Sequence, residues 1–99
     1  MKATRKQFNE LSRIEVTARK FFHLFEEGTI DKRSFKYMLK GLVLEMSFVH
    51  ADVDTEIYNE TIDEQFESYD NGSKFLLSAY SSGSLLNQFE VYDEIEVID

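Results

Sequence analysis

Apolar residues recur every three or four positions through the first seventy residues, which is the spacing of one face of an α-helix. Turn signals divide this pattern into three stretches and predict helices at residues 4–27, 32–49 and 54–69. Gly28 is placed to end the first helix, because glycine readily adopts the left-handed conformation that follows a helix. Thr29 or Asp31 is placed to cap the second helix. Asn71-Gly72 is a strong turn signal and ends the third.

The apolar positions of each stretch define the face that we expect to be buried. On the first helix they are Phe8, Leu11, Ile14, Ala18, Phe21 and Phe25. On the second they are Phe35, Met38, Leu39, Leu42, Met46 and Val49, widened by Val43 and Leu44. On the third they are Tyr58, Ile62, Phe66 and Tyr69. The second helix is the most apolar and is predicted to be central. Gly41 costs it about 1 kcal/mol relative to alanine, which close packing against another helix would explain.

The C-terminal part of the chain has a different period. Residues 89–97 alternate apolar and acidic side chains, which is typical of a strand with one buried face. Residues 74–80 form a short apolar run and are the nearest candidate for its neighbour. We therefore expect either a small β-hairpin, in which 74–80 pairs with 89–97, or a single strand. In the alternative, the strand is an edge strand that pairs with another copy of the chain. Residues 1–99 then form a single small α+β domain, because a division would leave each piece too small for a core.

Charge is unevenly distributed along the chain. Residues 1–40 carry ten of the eleven Lys and Arg against five acids, whereas residues 41–99 carry only Lys74 against fourteen acids. The first part has a net charge of about +5 and the second of about −13, which together give the −8 of the whole chain. Such asymmetry is typical of proteins with a charged partner. The alternative is that the two parts pack together and partly neutralise each other.

Six basic residues near the N-terminus are a candidate footprint for nucleic acid or an anionic membrane. They are Lys2, Arg5, Lys6, Arg13, Arg19 and Lys20. Acidic residues intervene along the helix, and the net charge of −8 disfavours generic binding to nucleic acid. We therefore interpret these residues as a solvated face and expect no direct binding of nucleic acid.

No motif specifies a reaction. The sequence has no glycine-rich phosphate loop, no nucleophile elbow, no paired-His metal motif and no Cys. We therefore expect a protein that is not an enzyme and that has no cofactor. Asp52, Asp54 and Glu56 alternate closely enough for a Mg²⁺ or Ca²⁺ site. Acids at the start of a helix commonly cap it, however, so we expect no metal there.

The acidic third helix is the strongest candidate for a functional surface. The candidate partner-binding residues are Glu56, Glu60, Asp63, Glu64, Glu67 and Asp70, continued by Glu90, Glu94 and Glu96 of the last strand. On a helix, such spacing repeats a carboxylate about every 5–6 Å. Duplex DNA presents one negative charge per about 1.7 Å of axis. A groove that binds phosphates therefore suits this arrangement of carboxylates.

In size and charge the chain resembles DNA-mimic proteins that block restriction or CRISPR-type nucleases. The resemblance implies a non-catalytic inhibitor that docks on the basic nucleic-acid-binding surface of a partner enzyme. The alternative for the same face is that it only keeps the protein soluble.

A second class of function fits the same charges. In a self-associating structural or adaptor protein, the basic first helix of one copy meets the acidic third helix of another, or C-terminal strands pair across a two-fold axis. The first eleven residues lack the apolar run of a signal peptide. The longest apolar stretches fall short of the roughly 20 residues that span a membrane. We therefore expect a cytoplasmic protein without membrane association, whose partner is another protein or a second copy.

Overall fold

The structure, a computed structural model, describes residues 1–70 and 95–98, with the backbone alone at residues 65 and 68–70. Three helices dominate it: α1 (Arg5–Glu26), α2 (Lys32–Val49) and α3 (Thr55–Asp70). Two short strands accompany them: β1 (Lys2–Ala3) and β2 (Glu96–Val97). The predicted α+β class is confirmed. Each predicted helix agrees with the observed one to within about one residue at either end, which is the precision that helix boundaries allow.

Local hydrogen bonds fix where the first two helices begin. The Thr4 hydroxyl accepts from the backbone N–H of Gln7 at 3.1 Å, and the Gln7 side chain accepts from the backbone N–H of Thr4 at 2.9 Å. This reciprocal pair is a capping box, which satisfies two N–H groups at the start of α1. Gly28, at φ 81°, ends α1 in the left-handed conformation, as predicted.

Asp31 caps α2, which decides between the two predicted caps. Its Oδ1 accepts from the backbone N–H of Ser34 at 2.7 Å. This hydrogen bond stabilises the charged carboxylate and lowers the pKa of Asp31.

The core lies between the three helices, with α2 packed against both α1 and α3. Its buried apolar residues are Leu11, Ile14, Ala18, Phe22, Phe35, Leu39, Leu42, Val43, Met46, Val53, Tyr58, Ile62 and Phe66. Phe35 of α2 is at the junction. Its ring centroid lies 6.1 Å from that of Phe22 and 5.2 Å from that of Phe25, both on α1. On the other side it lies 5.6 Å from the centroid of Phe66 on α3.

The buried faces of α1 and α2 differ in detail from the predicted ones. On α1, Phe22 is buried whereas Phe21 and Phe25 are only half-buried. The carboxylate-bearing Glu15 is also buried there, which an apolar pattern does not predict. On α2, Leu44 is exposed. The reason is that α1 and α3 cover one side of α2, so a residue that widens the apolar stripe is left on the uncovered side.

The strand at the C-terminal end pairs with the N-terminus. β2 runs parallel to β1, with Lys2 opposite Glu96 and Ala3 opposite Val97. The backbone N–H of Glu96 donates to the Met1 carbonyl at 2.8 Å. This strand lies inside the predicted 89–97 segment, but its N-terminal neighbour was not predicted. The proposed hairpin partner at 74–80 and the rest of the strand up to residue 94 lie outside the described residues.

Candidate protein-binding face of the third helix

The N-terminus of α3 is built by Asp54. Its Oδ1 accepts from the backbone N–H groups of Glu56 at 3.0 Å and Ile57 at 3.2 Å. Asp54 therefore acts as the cap expected of an acid at a helix start. Asp52 takes part in a different contact, in which its own backbone N–H donates to Nδ1 of His50 at 3.0 Å. Within residues 1–70 and 95–98, no group of three or more His, Asp or Glu side chains is arranged to hold a metal ion.

α3 has one buried face and one acidic face. Tyr58, Ile62 and Phe66 are buried at intervals of four residues, as predicted. Most of the other side of the helix is acidic and exposed, and four carboxylates there share one face: Glu56, Glu60, Glu64 and Glu67. In the part of the chain that the structure describes, no Lys, Arg or His lies within ion-pair distance of any of these four. We call these four residues the acidic face.

Asp63 differs from the acidic face because α2 neutralises it. Its Oδ1 lies 2.8 Å from Nζ of Lys40 and 2.9 Å from Nζ of Lys36. These contacts stabilise the charged carboxylate and lower the pKa of Asp63, Lys40 having the larger effect. Asp63 was predicted to belong to the binding surface. The structure places it at the edge of that surface, in ion pairs that join α2 and α3.

The remaining predicted site residues do not all fall on α3. Asp70 is the last residue of α3, and its side chain is not described. Glu90 and Glu94 lie outside the described residues. Glu96 is exposed on β2, whose hydrogen-bonded neighbour is the N-terminal strand β1. The part of the candidate site that the structure brings together is therefore the acidic face.

The six basic residues near the N-terminus lie on β1 and α1, whereas the acidic face lies on α3. Lys2, Arg5, Lys6, Arg13, Arg19 and Lys20 are all exposed. Arg5, Lys6 and Arg13 line a shallow surface depression with Asn9 and Glu10. α1 and α3 both pack on α2. In the described part of the chain, the ion pairs of Asp63 join α3 to α2 and involve none of the six basic residues near the N-terminus.

The contact of two α2 lysines with α3 was not predicted from the sequence. Lys36 and Lys40 are one helical turn apart and half-buried. Lys36 lines the groove between α2 and α3, and both lysines form ion pairs with Asp63. Their spacing of four residues is the signal that places them on one side of α2. The sequence alone does not show that this side faces α3 rather than solvent.

Comparisons of the chain with known protein families, with curated proteins and with solved structures found no match. Among the described residues, no helix is long and apolar enough to cross a membrane.

Proposed function

We propose that the protein is a non-catalytic binding protein whose acidic face docks on a basic surface of a partner protein. The observation that carries this proposal is the exposure of Glu56, Glu60, Glu64 and Glu67 on one face, without cations within ion-pair distance in the described residues. A helix rises about 1.5 Å per residue, so the four carboxylates span about 17 Å. The partner's surface must therefore carry several Lys or Arg side chains over a similar distance.

The arrangement of charge on α3 is unfavourable for the helix itself. Glu56 with Glu60, and Glu60 with Glu64, are like-charge pairs at four-residue spacing, each costing a few tenths of a kcal/mol. Carboxylates also occupy the end of the helix, whose last turn has no basic residue. The helix dipole favours cations at that end. A basic partner relieves both unfavourable effects. A face that only keeps the protein soluble needs neither like charges at four-residue spacing nor carboxylates at the C-terminal end of the helix.

The charge spacing suits a surface that binds a phosphate backbone. One DNA strand presents a phosphate about every 3.4 Å along the axis, and the acidic face presents a carboxylate about every 4–6 Å. The partner class that fits best is therefore a nucleic-acid-binding protein, which the acidic face would inhibit by competition. This is the DNA-mimic type of function.

A matched pair of variants tests the proposal. In one, Glu60, Glu64 and Glu67 are changed to Gln, which removes three charges from the acidic face. In the control, Glu10, Glu26 and Glu27 are changed to Gln, which removes three charges from α1 and its C-terminal end. Both variants have the same net charge, so a difference between them reports position rather than total charge. Far-UV circular dichroism checks that both remain folded.

The measurement is capture of proteins from a lysate on immobilised wild type and variants at low salt, followed by elution with duplex DNA. We expect wild type and the control to retain a nucleic-acid-binding protein that duplex DNA displaces, and the α3 variant to lose it. Raising the salt should also release it, since the Debye length falls to about 3 Å at 1 M. Capture that is unchanged in the α3 variant, or no capture by wild type, would contradict the proposal.

A second candidate function is charge-driven self-association. It is favoured by the separation of the basic side of α1 from the acidic face, because two such surfaces on one molecule allow head-to-tail contact between copies. Such a head-to-tail contact produces rings where the rotation between copies closes and filaments where it does not. Light scattering over a protein concentration series distinguishes this function. Growth in particle size at low salt that is reversed at about 1 M salt supports it, and a constant size at low salt contradicts it.

A further inference from the structure

The outer side of α2 carries large apolar side chains in contact with solvent. Tyr37 is 59% exposed, Leu44 is 50% exposed and Phe48 is 81% exposed. Their spacing of seven and four residues places all three on one face of the helix. This face is opposite the side that buries Phe35 and Leu39 in the core. We call it the α2 stripe. It shares no residue with the acidic face, and at its N-terminal end Tyr37 lines the same groove as Glu67.

Gly41 lies in the middle of the α2 stripe and is exposed. Among the described residues, a Cβ atom built at this position would meet nothing within 4 Å. Alanine would therefore fit beside these residues and would form helix more readily than glycine. The packing of the described residues around Gly41 does not explain its presence, whereas the close approach of another helix does.

The order of residues along the α2 stripe has an internal symmetry. Tyr37, Gly41, Leu44 and Phe48 are separated by four, three and four residues, so the spacing is the same from either end. A second copy that runs antiparallel, with a two-fold axis between Gly41 and Leu44, brings each Tyr37 opposite a Phe48. The same axis brings each Leu44 opposite a Gly41, where the absence of a side chain leaves room for it. This is the self-complementary pattern that an isologous contact needs.

Charge at the two ends of α2 favours the same direction. The N-terminal end is basic, and Arg33 stacks over the Tyr37 ring at 5.8 Å, extending the α2 stripe. Towards the C-terminal end, Glu45 and Asp52 are exposed, and no Lys or Arg occurs from residue 41 to residue 73. An antiparallel second copy places the basic end of each helix opposite the acidic end of the other. A parallel one places like charges together.

We propose that the α2 stripe binds a second copy of the chain, antiparallel across a two-fold axis between Gly41 and Leu44. The resulting dimer uses no residue of the acidic face, and the other three residues of that face lie outside the groove that Tyr37 shares with Glu67, so it presents two of the surfaces proposed above. It differs from the charge-driven association because its contacts are mainly apolar and it closes after two copies.

Sedimentation equilibrium over micromolar to millimolar protein concentrations tests the dimer. We expect a monomer–dimer equilibrium that persists at about 1 M salt. Phe48→Glu should raise the dissociation constant by at least about tenfold, because it removes an aromatic contact with Tyr37 of the other copy and places a charge in it. Ile57→Glu is the matched control, because Ile57 is 57% exposed on α3 and lies outside the α2 stripe. It should leave the dissociation constant unchanged.

Two outcomes would overturn the proposal. One is a single monomeric species across the concentration series. The other is a monomeric Phe48→Glu variant that unfolds at lower urea than wild type at high dilution, since this would mean that another part of the same chain covers the α2 stripe.

A mixing experiment tests the antiparallel direction. Arg33→Glu alone, and Glu45→Lys combined with Asp52→Lys, each place like charges at both ends of a homodimer and should weaken it. When the two variants are mixed, both ends of the heterodimer again oppose unlike charges. We expect the mixture to dimerise more tightly than either variant alone. A parallel dimer already opposes like charges in wild type, so variants that on their own dimerise as tightly as wild type, or no recovery on mixing, would refute the antiparallel arrangement.

Discussion

Phe35 is the residue whose replacement tests the described core most directly. It is fully buried, and the rings of Phe22, Phe25 and Phe66 surround it at centroid distances of 5.2–6.1 Å. Phe35→Leu keeps an apolar side chain but loses these aromatic pairs, each worth about 0.5–1.5 kcal/mol beyond buried area. It also leaves part of the ring volume empty in a close-packed interior. We expect the free energy of unfolding to fall by roughly 2–3 kcal/mol, and by roughly 3–5 kcal/mol for Phe35→Ala.

Urea denaturation followed by far-UV circular dichroism measures this loss. With an m-value of about 2 kcal/mol per M, a loss of about 2 kcal/mol lowers the midpoint by about 1 M. Phe48→Leu is the control, because it makes the same chemical change on the same helix at a side chain that is 81% exposed. At a dilution where the chain is monomeric, its effect should stay within about 0.5 kcal/mol. If both substitutions cost the same, the reasoning that places Phe35 at the junction of the three helices is refuted.

Three further predictions concern charge and helix propensity, and urea denaturation measures each of them in the monomer. Asp63→Asn should lower the free energy of unfolding by up to about 1 kcal/mol at neutral pH, since its ion pairs are partly exposed and screened. The pKa of Asp63 is lowered in the folded state, so this contribution is complete above the unfolded value of about 3.9 and is lost as the pH falls through the lower folded pKa. A difference from wild type that persists in acid would argue against this cause. Gly41→Ala should raise the free energy of unfolding by up to about 1 kcal/mol, and a decrease would show that the space beside Gly41 is occupied. Glu60→Lys should raise it by roughly 0.5 kcal/mol, because the repulsion from Glu56 and Glu64 becomes attraction, and it should weaken binding of the proposed basic partner. A fall in stability would mean that Glu60 has a favourable contact in the folded chain.

The helices are predictable because their causes are local. Thr4 and Gln7 lie three residues apart and form the capping box of α1, and Gly28 adopts the left-handed conformation that ends it. The pairing of β1 with β2 has no such local cause, because it joins residues at opposite ends of the chain. A strand of two residues is also too short to show a period of two. Its position therefore depends on the packing of the whole chain, which a sequence pattern does not contain.

The rotation of each helix about its own axis is less predictable than its ends. The apolar pattern of α2 is wide enough to include Leu44 among the buried positions, yet α1 and α3 cover only the side that carries Phe35 and Leu39. Conversely, Phe22 belongs to the core of α1, whereas the predicted face passes through Phe21, which is only half-buried. Some helices have more apolar residues than one face can hold. The packing of the neighbouring helices then determines which of these residues are buried, and the others stay exposed on the surface.

The packing of the helices also determines which charges neutralise each other. Residue counts show that the first forty residues are basic and the rest acidic, but mutual neutralisation requires that the charged sides face each other. The structure packs both α1 and α3 on α2, and among the described residues no ion pair joins a basic residue of α1 to the acidic face. Asp63 of α3 instead pairs with two lysines of α2. In this described part of the chain the repulsion within the acidic face therefore remains, and a basic surface on the proposed partner protein would relieve it.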